Sequence, residues 1–339
     1  MTATPTDSWP RPLRDRHGRV ATDLRVSLTD RCNLRCTYCM PAEGLDWLGK
    51  DELLTAEELH RLLDVAVRML GITSIRLTGG EPLLRPDLLE VVRDVAALRP
   101  RPRIALTTNG IGLARRAGEL AAAGLDRINV SLDTLDPDTF TRLTRRRRLP
   151  DVLAGVEAAV AAGLTPVKVN TVLMRGVNDN EAADLLAWAM DVGAQLRFIE
   201  QMPLDAQHGW QRSEMVTAEE IHSALSRRWR LVDDRAERGS APAELFRVAG
   251  TAHKVGIIAS VTRPFCGACD RVRLTADGQL RNCLFARTES DLRPLLRGGA
   301  DDEEIARRWL DVLAAKRPGH GIDDPSFLQP DRPMSAIGG

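Results

Sequence analysis

Leu24-Arg25-Val26-Ser27-Leu28, followed after a short link by Cys32-Asn33-Leu34-Arg35-Cys36-Thr37-Tyr38-Cys39, decides the reading of this chain. The first segment reads as a strand, and the three cysteines after it sit at i, i+4 and i+7. Thiolates are soft ligands, and iron–sulfur clusters are held by cysteine sulfur. In a cubane cluster, three thiolates leave one iron open to bind a small molecule and pass it an electron. The same spacing would also place three buried cysteines on one face of a helix. Zinc suits the stretch less well, because a structural site wants a full tetrahedral set and the nearest downstream histidine is His60.

Outward from this stretch, strand-like runs alternate with amphipathic segments: Leu24–Leu28, Ser74–Leu77, Ile104–Leu106, Arg127–Val130, Val167–Leu173 and Leu196–Ile199. The segment Thr55–Leu70 opens with the capping box Thr55-Ala56-Glu57-Glu58 and carries one apolar face of Leu59, Leu62, Leu63, Ala66, Val67 and Leu70. Repeated strand–helix units imply a parallel sheet with right-handed crossovers. These six runs fall short of a complete eight-fold barrel, so the expectation is an α/β fold with an open, partial TIM-like (βα)6 barrel. The runs end in the Cys loop, Thr78-Gly79-Gly80-Glu81-Pro82, Thr107-Thr108-Asn109, Ser131-Leu132-Asp133 and Glu200-Gln201-Met202. Barrel active sites are built at that edge. The Gly pair offers backbone that can approach a ligand closely, with a carboxylate beside it.

The chain has 339 residues, 43% hydrophobic and 28% charged, with 47 basic and 47 acidic side chains. That balance argues against a general polyanion-binding surface. Only Lys50, Lys168, Lys254 and Lys316 are lysines. The run Arg145–Arg148 reads as a solvated loop, not a nucleic-acid contact. The six cysteines fall in two trios, Cys32/Cys36/Cys39 and Cys266/Cys269/Cys283, a poor disulfide framework that favours a reducing cytosol. No apolar run approaches the length of a membrane span, and the polar, Pro-rich start lacks the apolar core of a signal peptide. Residues 1–13 read as a flexible arm, 14–216 as the barrel and 217–339 as a smaller α+β section. That section opens with a second capping box at Thr217-Ala218-Glu219-Glu220. It continues through a charged loop at 233–243, a strand at His253–Val261, a hairpin over Arg271–Leu284 turning at Ala276-Asp277-Gly278, and a helix over Asp301–Leu313. From Arg317 onward the tail has too little apolar content to pack by itself and is mobile unless docked.

In the second trio, Phe265-Cys266-Gly267-Ala268-Cys269 is followed at once by Arg271 and Arg273, which strand alternation puts on one face. Cationic forks beside an open iron suit an anionic ligand such as a triphosphate. Arg25, Arg76, Lys168 and Arg197 all lie within strand-like runs, and a cation inside a barrel strand needs an anion to offset its desolvation.

The first trio, with an aromatic before its third cysteine, resembles the radical S-adenosylmethionine (SAM) superfamily. In that superfamily the open iron chelates SAM, and one electron cleaves the sulfonium to methionine and a 5′-deoxyadenosyl radical. Taken with Gly79-Gly80-Glu81-Pro82, Cys266-x₂-Cys269-Asp270-Arg271-Val272-Arg273-Leu274, Cys283 and the terminal Ile337-Gly338-Gly339, the chain resembles the GTP 3′,8-cyclase family of molybdenum cofactor biosynthesis. The resemblance implies a radical SAM barrel and a C-terminal domain with a second cluster, so two 4Fe-4S clusters and SAM as cofactors. Cys32, Cys36, Cys39, Cys266, Cys269 and Cys283 fall on its cluster ligands. Tyr38, Gly80, Ser131 and Met202 fall on its SAM contacts. Arg25, Arg76, Thr107, Lys168, Arg197, Arg271, Val272 and Arg273 fall on its GTP contacts. Gly338 and Gly339 fall on its tail, which enters the barrel and is needed for radical initiation. The family's partners would be GTP, an external electron donor such as flavodoxin, cyclic pyranopterin monophosphate synthase as the next enzyme, and optionally a second copy in a homodimer, in the cytoplasm, with no nucleic acid or membrane. Two readings compete: a radical SAM enzyme that modifies a peptide, and a zinc-dependent RNA-binding protein using both trios structurally.

Overall fold

The computed structural model describes residues 9–338, so the first eight residues of the expected arm and the expected site residue Gly339 lie outside the described residues. The rest of the arm is docked: Arg11 N donates to Met69 O at 2.8 Å, and Leu13 is buried. Its end pairs as β1 (Leu13–Arg14) with β2 (Val20–Ala21) in a small antiparallel ribbon.

Six parallel strands follow in spatial order: β3 (Asp23–Ser27), β4 (Ser74–Thr78), β5 (Arg103–Thr108), β6 (Arg127–Ser131), β7 (Lys168–Val172) and β8 (Gln195–Ile199). Each matches an expected run to within a residue or so at its ends. Alternation along β4 shows how they work: Ile75 and Leu77 enter the apolar core, while Ser74 and Arg76 line an interior cavity. A closed TIM barrel fills its inside with branched apolar side chains. Here the inside is polar and open.

The helix Ala56–Asp64 has the expected capping box, with Thr55 Oγ1 accepting from Glu58 N and Glu58 from Thr55 N. All six residues of the predicted apolar face are buried. The segment is not one continuous α-helix, because Val65–Met69 widens into a π-helical turn. The second capping box, at Thr217, begins the helix Ala218–Ser226.

The C-terminal section extends both edges of the same sheet. A meander of β9 (Leu231–Asp233), β10 (Glu244–Val248) and β11 (Lys254–Ile258) joins it through β11, which lies parallel to β8. On the far edge β12 (Arg271–Leu274) lies parallel to β3 and carries β13 (Gln279–Arg281) and β14 (Ser290–Asp291). The hairpin turns where expected, with Gly278 at φ 73°, a backbone that favours glycine. Strands β9, β10 and β14 were not foreseen. No pairing joins β11 to β12, so the partial barrel has one open side between them.

The tail does not hang free. His320 Nε2 lies 3.1 Å from Ser260 O, Met334 N donates to Leu204 O at 3.0 Å, and Arg332 forks onto both Asp277 oxygens at 3.0 Å. The short helix Met334–Ile337 then carries Gly338 inward, with Ile337 buried.

Candidate active site

The three cysteines after β3 lie on a loop, which removes the helical-face reading of their spacing. The loop is held from outside by the last turn of the helix Pro137–Thr144: Arg35 N donates to Thr144 O at 3.0 Å and Thr37 N to Leu143 O at 2.9 Å. Arg145 adds its guanidinium to Arg35 O at 2.9 Å. Burial pushes the Cys32 thiol up to about 11 and the Cys39 thiol up to about 12, and it raises Cys36 well above its ordinary value, with Cys39, Asp133 and Cys32 repelling its charge. Thiols that repel one another in an apolar setting ionise only beside a strong cation, which ligated iron supplies. Among the described residues no three His, Cys, Asp or Glu side chains gather around one ion position.

Gly79 and Gly80 serve the loop's approach to the sheet. A Cβ on Gly79 would stand 2.4 Å from Thr29 O, and one on Gly80 would stand 2.3 Å from Arg31 O. The Gly80 N–H is taken by Thr29 O at 2.7 Å, so a ligand contact from Gly80 falls to its carbonyl. The neighbouring carboxylate does not face a ligand. Glu81 is fully buried and accepts from Thr108 Oγ1, Asn109 N and Leu83 N at 2.7–2.9 Å, and burial pushes its pKa up to about 7. Glu200 is spent likewise, accepting from Ala218 N, Val261 N and Thr262 N at 2.8–2.9 Å. Asp133 accepts from Tyr38 Oη at 2.6 Å and Val172 N at 2.9 Å, fixing the aromatic of the Cys loop to the end of β7.

Below the Cys loop a cavity of about 590 Å³ runs through the partial barrel. It is lined by Tyr38, Ser131 and Met202 at its upper end and by Arg25, Arg76, Thr107, Lys168, Arg197, Arg271 and Arg273 along its walls. Sheet register sets Arg273, Arg25 and Arg76 side by side on three adjacent strands. Burial pushes Arg76 down to about 9, with Arg25 repelling it, Lys168 down to about 7, and Arg197 down to about 10. Carboxylates are scarce: Asp23 lies 3.9 Å from Arg25 and Asp270 lies 3.9 Å from Arg271. Buried donors on Arg25, Arg76, Arg197 and Arg271 find no acceptor among the described residues. A surplus of desolvated cations with unsatisfied donors is a site built for a polyanion. Arg127 belongs to this set and was missed, although it sits at i−4 from Ser131 on the same inward face of β6. Val272 departs from the expected set, because its side chain points away from the cavity into the apolar core.

The second trio sits at the open side. Cys266 and Cys269 flank the turn Cys266–Ala268, and Phe265 beside them lies under the Arg271 guanidinium at 4.6 Å. Lys316, buried, brings its ammonium to 3.4 Å from Cys269 Sγ and donates to Arg271 O at 2.7 Å. Burial raises the Cys269 thiol, but Arg271 and Lys316 outweigh it and bring the thiol down to about 7. Cys266 is raised by burial, with Cys283 and Cys269 repelling its charge. From the tail, Gly338 packs against the Ser27 and Thr78 side chains at the paired ends of β3 and β4 and accepts a hydrogen bond from Arg273.

Residues 26–189 match the radical SAM superfamily, and residues 194–322 match the domain described as Molybdenum Cofactor Synthesis C. The crystal structure of Streptococcus suis SuiB superposes with a TM-score of 0.61 at 14% identity, over 90% of this chain and 68% of that one, a likeness of fold alone. The GTP 3′,8-cyclase of Streptomyces coelicolor is 66% identical over 328 residues, covering 96% of each chain. That of Mycobacterium sp. strain KMS is 63% identical, over 97% of this chain and 94% of the relative. Near-full-length identity of that order reaches both trios and the cationic cavity between them, so the chain belongs to the GTP 3′,8-cyclase family of radical SAM enzymes.

Proposed function

We propose that the chain converts GTP to (8S)-3′,8-cyclo-7,8-dihydroguanosine 5′-triphosphate, the opening step of molybdenum cofactor biosynthesis, a lyase reaction using SAM. The observation that carries this reading is the row of buried cations, Arg273, Arg25 and Arg76, lining a cavity that also reaches Tyr38 and Cys39 of the SAM loop. When bound, the first cluster supplies the electron that cleaves SAM, and the second offers its open iron to the guanine. Cys32, Cys36 and Cys39 would hold the one, and Cys266, Cys269 and Cys283 the other. Tyr38, the Gly80 carbonyl, Ser131 and Met202 would orient SAM above the ribose. Arg25, Arg76, Thr107, Lys168, Arg197, Arg271, the Val272 backbone and Arg273 would bind GTP, their charge answering the triphosphate. No helix of the described residues is long and apolar enough to cross a membrane. The reading places the enzyme in the cytoplasm, fed by a donor such as flavodoxin and handing its product to cyclic pyranopterin monophosphate synthase.

GTP deuterated at C3′ tests the reaction. The label should appear in 5′-deoxyadenosine in step with cyclised product, and unlabelled 5′-deoxyadenosine from productive turnover would refute C3′ abstraction.

A further inference from the structure

The run Arg145–Arg148 stands outside the cavity, and apart from the hold of Arg145 on the cysteine loop it has no role so far. Its first residue belongs to the SAM-cluster loop. Arg145 ends the helix Pro137–Thr144 in a left-handed conformation, φ 57°, uncommon for a residue with a side chain. That turn points its guanidinium at the cysteine loop, where it donates to Arg35 O at 2.9 Å and approaches Met40 O at 3.4 Å, the residues just before Cys36 and just after Cys39. Phe140, Leu143 and Thr144 of the same helix wall the small cavity that contains Cys32, Cys36 and Cys39. With Arg145 turned inward, Arg146, Arg147 and Arg148 are left on the outer surface, together with exposed Arg142. Arg148 is paired with Asp151 at 2.6 Å. Among the described residues Arg142, Arg146 and Arg147 form no ion pair with a carboxylate. In a chain with equal numbers of acids and bases, this is a local cationic face.

The proposed reaction needs an electron from outside for each SAM cleaved, and the cluster loop is where it must arrive. Leu143, Thr144 and Arg145, which lead directly into Arg146–Arg147, reach the cysteine cavity or its loop, so the exposed arginines follow immediately on residues in contact with that loop. We propose that Arg142, Arg146 and Arg147 form the docking face for an acidic electron-carrier protein, which delivers its electron through the last turn of this helix to the SAM cluster. The carrier is oxidised by one electron and the cluster is reduced by one. No proton or bond is exchanged at the contact. Such faces act mainly on the encounter rate, since opposite potentials steer diffusion and added salt screens them. The inference rests on the cyclase reading only in requiring a reducible SAM cluster.

The test compares two reductants on the fully loaded enzyme with SAM and GTP: dithionite, which needs no docking face, and photoreduced flavodoxin as the acidic protein probe. The variants are Arg146→Ser/Arg147→Ser and the charge reversal Arg146→Glu/Arg147→Glu. Flavodoxin-driven 5′-deoxyadenosine formation at low salt should fall about tenfold in the first and further in the second. The dithionite-driven rate and iron content should stay at wild-type values, and the wild type alone should slow steeply with added salt. Unchanged flavodoxin-driven rates would overturn the docking face, as would an equal loss with both reductants, which would mark damage to the loop. Retention of an oligouridine RNA probe by the wild type, with donor rates unaffected by the substitutions, would assign the run to nucleic acid instead. Failure of the cyclase reading would show separately, as dithionite-driven turnover without cyclised product.

Discussion

Arg273 donates a hydrogen bond to the carbonyl oxygen of Gly338, joining the floor of the cationic cavity to the end of the chain. The contact ties a cation of the cavity wall to a segment that sequence composition alone would leave frayed. Gly338 sits at φ 85°, and a Cβ there would stand 2.4 Å from Ser27 Oγ and 2.8 Å from Thr78 Cγ2. Only a residue without a side chain fits this closely against the pair.

A chain ending at Ile337 should therefore keep both clusters and bind GTP, yet lose most cyclised product. Gly338→Ala should do the same with an intact length, because the methyl group would clash with the Ser27 and Thr78 side chains. Iron content, GTP binding and product are measured side by side. Full turnover by the truncated chain would make the tail dispensable.

Lys168 gives the binding reaction a pH signature. In the free protein burial holds its pKa down to about 7, so at pH 8 it is mostly neutral. A bound triphosphate favours the ammonium and draws a proton back, so binding at pH 8 should take up about one proton and at pH 6 almost none. Affinity should weaken as pH rises above about 7. For the free protein the sign is opposite: the folded pKa lies below the ordinary 10.5, so charge burial costs stability in full below pH 7 and is relieved between about 7 and 10.5. Calorimetry in two buffers of different ionisation enthalpy reads the uptake. If Lys168→Met takes up as many protons as the wild type, another group is responsible.

The two trios should load independently. Cys36→Ala should remove about half the iron and abolish SAM cleavage, because the open-iron site is lost. Cys269→Ala should also remove about half, yet allow slow SAM cleavage without GTP. Iron and sulfide analysis after anaerobic reconstitution checks both, and loss of all iron from either folded variant would break the two-site model.

What the sequence showed best were features with a period or a spacing. Arg25, Arg76 and Lys168, read as cations within strand-like runs, line the cavity, and the two capping boxes formed as written. What it hid was partnership at a distance. Glu81, Glu200 and Asp133 all stand at strand ends where catalytic carboxylates are expected, and each is occupied by backbone or side-chain donors of the next element. No local pattern separates a carboxylate aimed at a ligand from one that ties two loops. Arg145 illustrates the same limit: its exposed neighbours behave as a charge run should, while its own guanidinium reaches back over a hundred residues to the cysteine loop. Strand β12 returns to pair with β3 across most of the chain, a contact that no window of sequence contains.

Lys316 is the last case, and it leads to a measurable potential. Its side chain is buried with no carboxylate partner among the described residues; its acceptors are Arg271 O at 2.7 Å, Cys269 O at 3.4 Å and Cys269 Sγ at 3.4 Å. A buried ammonium without a carboxylate is costly, and the thiolate of Cys269 is the anion within its reach. Hydrogen bonds and positive charge at a ligating sulfur stabilise the reduced, more negative form of a cluster and so raise its potential. Lys316→Met should lower the midpoint of the second cluster by about 60 mV, one tenfold step for a one-electron couple, and leave the first unchanged. Lys316→Arg, which keeps the charge but not the geometry, should fall between. Redox titration followed by electron paramagnetic resonance separates the two signals in variants with full iron content. An unshifted second midpoint at full occupancy would leave Lys316 with packing alone.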